Sequence, residues 1–277
     1  MACGTKGVSM VGGQATSVKR SDGREPLGLR IALTAKWLAY PDRLRWIAAH
    51  GFALEYAADP EALHTLGQQL APYLSAGIPI RYHGFLPGYE IGHQDAELAE
   101  RGMGAHVASL DAMRGLGEQV ITFHVGLSSK IPIDAGRAVE NLTRLVEHGS
   151  RLGITVCLEN LRRGLTSDPR NVVEWAEASG AMTTLDIGHA IESEIVKSGE
   201  MAILDFVELM APRLQEVHMY ERETDRHHPP KDMRVLGPIV DRLINTECDW
   251  WTIELDDYDE ALETRRLLLA YLQKECL

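Results

Sequence analysis

Short apolar runs recur along this chain, each separated from the next by room for one helix and its loops. They are LGLRIAL (27–33), FALEYAA (52–58), IPIRYHG (78–84), QVITFHVG (119–126), ITVCLEN (154–160), AMTTLDIG (181–188), LQEVHMY (214–220) and WWTIEL (250–255). Runs this short and this apolar predict buried strands. Between them the period changes. PDRLRWIAAHG, AELAERGMGAHVASLDAMRGLG and AGRAVENLTRLVEHGSRLG place apolar residues three and four apart and run out on glycine, as amphipathic helices do. DPRNVVEWAEASG opens on Asp-Pro, a side-chain cap followed by a residue whose fixed φ suits a first turn. Strands alternating with helices build a parallel sheet, and eight of them close into a (β/α)8 TIM barrel of the α/β class. An open doubly wound sheet would want a glycine-rich phosphate loop after its first strand, and ALTAKW offers none. The barrel is predicted to occupy residues 27–277 as one domain. Residues 1–26, rich in Gly, Ser, Thr and Lys and without a period, read as a flexible N-terminal extension.

The strand ends carry the chemistry. The third to eighth runs each deliver one ligand-type residue near the C-terminal end: His83, His124, Glu159, Asp186, His218 and Glu254. Their spacings of 41, 35, 27, 32 and 36 residues are each about one strand-helix unit. In a barrel these ends share one face, the face where chemistry is done. Alternation along each strand puts Thr155, Cys157 and Glu159 inside the barrel, with Thr184 and Asp186, and with Thr252 and Glu254. Ile154, Val156, Leu158 and Ile253 then face the helices. The same rule sends Arg81 inward below His83 and Glu216 inward below His218, and Glu55 inward from the second strand. A buried guanidinium needs a partner, so Arg81 is expected to pair with Glu216 or Glu55. Carboxylates and imidazoles without thiolates suit Mn, Mg, Co or Zn in an open site, and one divalent ion per chain is expected. His189 and the Asp225-x-His227 pair of ETDRHHPPKD fall over the same mouth and are candidates for substrate contact or additional metal. His50, His64, His106 and His148 lie in helical stretches and read as structural or surface residues, His93 as surface.

Composition narrows the partners. The formal charge is −12, and Lys6, Lys19, Arg20 and Arg24 against Asp22 and Glu25 leave −14 on residues 27–277. Such a surface repels phosphate backbones and argues for a small-molecule substrate rather than nucleic acid. Cys3, Cys157, Cys248 and Cys276 lack paired spacing and read as free thiols in a reducing compartment. With no apolar leader and no run of 18 apolar residues, the expectation is a cytoplasmic protein that does not enter a membrane. A homo-oligomer is compatible with all of this.

The chain resembles the xylose isomerase-like barrels, the superfamily joining sugar isomerases and epimerases with endonuclease IV-type repair enzymes (AP endonuclease family 2). The motifs are YHG at His83, FHVG at His124, LEN at Glu159, LDIGHA at Asp186 and His189, EVHMY at His218, DRHHP at Asp225 and His227, and IEL at Glu254. The resemblance covers about residues 28–273. It implies that Glu159, Asp186, His218 and Glu254 bind one divalent metal and that His189 contacts substrate. Endonuclease IV-type enzymes use nine ligands for three zinc ions, and His83, His124, Glu159, Asp186, His189, His218, Asp225, His227 and Glu254 match all nine. After DIGH, however, AIESEIVKSGE replaces the aromatic, AGYD-like run of the repair enzymes, and VLGPI replaces a glycine-bracketed turn.

The first reading is therefore a metal-dependent isomerase or epimerase of a sugar, polyol or related hydroxy-carbonyl compound. Glu159 and Glu254 would be its catalytic acid-base pair. A dehydratase could use the same parts. A trinuclear zinc phosphodiester hydrolase is the second reading, with Tyr89, Arg162 and Arg163 as its few candidates for gripping DNA. A binding protein on an enzyme scaffold is the third, and such proteins usually lose ligands that this chain keeps.

Overall fold

The computed structural model describes residues 28–39 and 41–274, so the expectation for residues 1–26 lies outside the described residues. Eight parallel strands close into a barrel: β1 (Arg30–Lys36), β2 (Ala53–Ala57), β3 (Ile80–Gly84), β4 (Val120–Phe123), β5 (Thr155–Glu159), β6 (Met182–Asp186), β7 (Leu214–Met219) and β10 (Trp250–Ile253). Each pairs with its neighbours in sequence order, and β10 returns to β1 with Arg30 against Trp250. Two short antiparallel strands, β8 (Arg222–Glu223) and β9 (His227–His228), form a hairpin over the mouth. Every apolar run gave a barrel strand, because a strand covered by helices outside and side chains inside needs no polar face.

The predicted alternation holds. Ile154, Val156, Leu158 and Ile253 join the main apolar core between barrel and helices. Inside, Thr122 and Thr184 meet at 2.7 Å across the barrel, and Thr252 donates to Glu216 Oε1 at 2.7 Å. Ala32, Ala53 and Trp250 make a separate small apolar cluster.

The helices α1 (Asp42–Ala49), α3 (Ala96–Met113), α4 (Ala135–Leu152) and α5 (Pro169–Ser179) fall where the 3.6-residue period placed them. Asp168 accepts from the Arg170 N–H at 2.9 Å as the cap of α5. That helix ends on Gly180 at φ +80°, a left-handed position that glycine takes without strain. The remaining helices are α2 (Leu66–Ser75), α6 (Ile187–Glu192), α7 (Glu194–Lys197), α8 (Ile203–Met210), α9 (Gly237–Leu243) and α10 (Tyr258–Lys274).

One strand end takes a second role, and one expectation changes. The sixth run stops being a strand at Asp186, and α6 begins at once. Asp186 caps it by accepting from the His189 N–H at 2.7 Å, so one residue serves both as strand end and as helix cap. Arg81 points into the barrel but does not pair with Glu216 or Glu55. Its Nε donates to Glu118 Oε2 (3.1 Å), Nη1 donates to the Gln215 carbonyl (2.8 Å) and Nη2 lies 3.7 Å from Asp249. The guanidinium also sits 4.5 Å from the Trp250 ring centroid. Arg81 is only the second residue of β3, so its long side chain reaches out through the N-terminal end of the barrel.

Candidate functional site

The C-terminal ends of β3 to β7 and β10 bring His83, His124, Glu159, Asp186, His218 and Glu254 to one place, all buried. The strands supply this convergence, because parallel neighbours in register end together. Glu159 is at the centre. Its Oε2 lies 3.1 Å from His124 Nε2, 3.4 Å from His218 Nδ1 and 3.6 Å from His83 Nε2, while Oε1 lies 3.5 Å from His189 Nδ1. Glu254 Oε1 lies 3.7 Å from the same His218 Nδ1. The nitrogens of His83 and His124 face each other at 3.2 Å.

Asp186 approaches from the far edge. Tyr220 Oη donates to its Oδ2 at 2.9 Å, and Asn160 clasps its backbone, donating to Asp186 O and accepting from Asp186 N, both at 2.9 Å. The same Asn160 offers its own carbonyl to His189 Nδ1 at 3.1 Å. Gly188 is required here, since a Cβ would come within 2.0 Å of the Tyr220 ring. Glycine in LDIGHA therefore lets α6 pack against the ring that holds Asp186.

The hairpin over the mouth sorts the polar loop. Glu223 and His227 stand opposite each other in its register. Glu223 Oε2 lies 3.2 Å from His189 Nε2, and His227 Nδ1 donates to the Glu254 carbonyl at 2.8 Å. His227 also stacks on Tyr220, centroids 3.9 Å apart. Asp225 sits at the hairpin tip with its side chain 91% exposed, bonded to Thr224. The nine expected residues thus come together except for Asp225, and Glu223 stands beside His189 and His227 instead. In the D-x-H pair, alternation alone would set Asp225 beside His227; the turn between β8 and β9 breaks it.

Sequence reasoning singled out none of Glu223, Tyr220, Asn160 or Thr122, and took Glu55 only as far as pointing inward. The signal for Glu55 was present: an acidic residue at an inward position of the apolar run FALEYAA. The other histidines lie apart from the cluster. His106 is buried against the Tyr89 carbonyl, and burial pushes its pKa down to about 4. His148 pairs with Asp111, and His50 stacks on Trp46.

The donor atoms fit a divalent cation. Glu55 Oε2, Glu159 Oε2, His83 Nδ1, His124 Nδ1 and His218 Nδ1 are buried and lack a hydrogen-bond partner among the described residues. Unsatisfied buried donors and acceptors are rare and call for an explanation. Groups of three and four such side chains have ligand atoms within 4.8 Å of one another: His83, His124 and Glu159; Glu159, Asp186 and His189; His189, Glu223 and His227; and Glu55, His83, His218 and Glu254. The neighbouring charges set where protons sit in this cluster. Burial works against charge on Glu159, but His124 and His218 outweigh it and hold its pKa well below the usual range. Burial likewise opposes charge on His218 and His189. Glu55 and Glu254 for the first, and Asp186 for the second, raise both well above an ordinary histidine. Burial lifts Asp186 to about 6. A cation would replace those protons.

A cavity of about 410 Å³ adjoins His124, walled by Phe85, Leu86, Pro87, Leu127 and Ile131, with Lys130 at its rim. A smaller one of about 170 Å³ reaches His189 and Glu223 between Leu127 and Arg162. No helix among the described residues is long and apolar enough to cross a membrane.

Comparison with known proteins agrees with this architecture. A protein of Methanocaldococcus jannaschii, itself uncharacterized, is 35% identical over 158 residues, 57% of this chain and 68% of that one. The solved 3-keto-D-glucoside 4-epimerase of E. coli superposes with a TM-score of 0.67 at 16% identity, covering 89% of this chain and 99% of that one. Endonuclease IV of Thermus thermophilus superposes with a TM-score of 0.64 at 16% identity, covering 88% and 99%. At such identities the two structures show a shared barrel and no more. The sequence pattern of one family runs through residues 44–274, and the chain accordingly belongs to the xylose isomerase-like TIM barrel family.

Proposed function

We propose that this chain is a divalent-metal-dependent isomerase or epimerase of a small hydroxy-carbonyl compound, a sugar or polyol derivative, working by proton transfer. The observation that supports it most is that two buried glutamates, Glu159 and Glu254, approach the same His218 Nδ1 to 3.4 and 3.7 Å, in a cluster whose His124 lines a cavity of small-molecule size. Glu159, His218, Glu254 and Asp186 would hold the ion. A bound divalent cation would polarise adjacent substrate oxygens and acidify the C–H next to the carbonyl. One glutamate then takes that proton and the other returns one to the opposite face of the enediolate. His189, anchored through Nδ1 on Asn160, presents Nε2 to a substrate oxygen. Apolar walls at Phe85, Leu86 and Leu127 keep water from the carbanion.

A second reading has its own observation. The groups around His83 with His124, and around His189 with Glu223 and His227, resemble two further cation sites, as a trinuclear phosphodiester hydrolase would need. Against it stands the net charge of −12. The experiment that separates them supplies the metallated protein with a panel of ketoses, inososes and their phosphates in D2O. The proposal expects deuterium at the carbon next to the carbonyl of at least one compound. No label from any compound, together with cleavage of abasic-site DNA, would replace it with the hydrolase.

A further inference from the structure

We propose that Glu55, on β2, is a positioning residue that decides which ring nitrogens of His83 and His218 face the cation site. The inference rests on the metal-dependent reading above. Glu55 is fully buried, 0% exposed. Burying an ionised carboxylate is costly unless donors meet it, and the donors here are two imidazoles. Its Oε1 lies 3.0 Å from His218 Nε2 and 3.5 Å from His83 Nδ1.

A carboxylate only accepts hydrogen bonds, so the nitrogen that faces it keeps the proton. That fixes His218 with its N–H on Nε2; His83 Nδ1, 3.5 Å away and without a formed hydrogen bond, is biased toward carrying its N–H by the charge of Glu55 alone. The second nitrogen of each ring is then the one left to give a lone pair. For His218 this is Nδ1, which has no hydrogen-bond partner and faces Glu159 and Glu254 at 3.4 and 3.7 Å. For His83 it is Nε2, which faces His124 Nε2 at 3.2 Å and Glu159 Oε2 at 3.6 Å. Lone pairs and carboxylates so arranged repel one another unless a proton or a cation lies between them. One carboxylate from a strand outside the ligand series thus orients one histidine in each of two adjoining donor groups. The other carboxylate near His83 Nδ1 is Glu254 Oε1 at 3.6 Å, which is itself aimed at the site. Outer carboxylates of this kind set tautomer and ring orientation, and their loss typically weakens metal binding about 10–100-fold.

The test compares wild type, Glu55→Gln and Glu55→Asp by competition for Zn2+ and Mn2+ with a chromophoric chelator, alongside thermal melts of the metal-free proteins. The expected result is an affinity about 10–100-fold weaker in Glu55→Gln, with part of the loss recovered in Glu55→Asp, which keeps the charge. The metal-free melting temperature of Glu55→Gln should fall, because His218 and His83 lose the carboxylate that supports their charge, and affinity is compared below that temperature. Equal affinity in wild type and Glu55→Gln would overturn the inference alone. So would complete loss of bound metal in both variants, since Glu55, which lies within ligand distance of His83, His218 and Glu254, would then be a ligand. If Glu55→Gln does not fold, wild-type affinity in Glu55→Asp together with an unshifted pH dependence of metal uptake would overturn it. A wild type that takes up no metal would overturn the reading and the inference together.

Discussion

The two ends of the barrel interior treat buried charge in opposite ways. At the N-terminal end Arg81 is satisfied: Glu118, the Gln215 carbonyl and Asp249 surround its guanidinium, and Trp250 covers its face. At the C-terminal end, His83, His124, Glu159 and His218 are buried and each has an atom without a hydrogen-bond partner among the described residues. The floor closes its own hydrogen bonds and can be read as structure. The mouth leaves several of them open among the described residues, in groups that could hold a metal ion. The same strand, β3, shows both: Arg81 faces the floor and His83, two residues on, faces the mouth. Unsatisfied polarity, more than charge itself, marks the functional end.

The largest effect that would break this contrast lies at the mouth. Glu159→Gln and Glu254→Gln each keep a neutral oxygen but remove the base. Each is expected to cut solvent-deuterium exchange by at least about a hundredfold, with metal content measured beside the rate. Exchange as fast as wild type in both variants at full metal occupancy would refute the two-glutamate mechanism. At the floor, Arg81→Met removes the cation but keeps the stem against Trp250. It should cost roughly 3 kcal/mol in urea unfolding, at the low end for a buried ion pair because Glu118 and Asp249 are partly exposed and solvated. Its metal uptake should match wild type; a parallel loss of uptake would show that floor and mouth are one unit.

Glu216 lies between the two ends and tests where the boundary falls. Burial, and then the charge of Glu55, raise its pKa to about 8, against the lowering influence of His218, Arg81 and the Thr252 hydroxyl. A carboxyl raised on folding holds a proton that the unfolded chain releases near its ordinary value. Stability from this group is therefore full only below the ordinary carboxyl range and is lost steadily as pH rises from there to about 8. The raised histidines, His83, His189 and His218, give a slope of the same sign. In chelator-treated protein, urea midpoints should fall as pH rises, and Glu216→Gln should flatten that fall without abolishing it. An unchanged slope would place the titration elsewhere.

The smallest effect sharpens the mouth itself. Asp225→Ala, at the hairpin tip, should leave metal uptake and exchange within about twofold of wild type, as surface changes usually do. Glu223→Gln should weaken contact at His189 and raise the apparent KM by several-fold. The reverse order of effects would mean that the hairpin turns Asp225 inward when the site is filled.

The barrel was legible in the sequence because each signal agreed with the next: apolar runs, helical periods, glycine ends and the Asp168 cap. Six mouth residues were legible for the same reason, since strand ends in a parallel barrel share a face. Two things were not. Asp225 and Glu223 exchange places because a tight turn, rather than alternation, sets which side chains look inward. Arg81 found Glu118 and Asp249 because its side chain is long and lies near the strand start, where loops distant in sequence supply the partners. Each miss occurs where a loop, not a strand, fixes direction.

The central claim, that the mouth is complete only with a cation, is tested most directly by elemental analysis of wild-type protein and Glu159→Gln after equilibration with a divalent-metal mixture and gel filtration. The account predicts about one divalent ion per wild-type chain, as a single tight site of first-row type would give, and a marked loss in the variant. No retained metal in wild type, or equal retention in both proteins, would contradict it; three zinc ions per chain with cleavage of abasic-site DNA would keep the cation but transfer the site to phosphodiester hydrolysis.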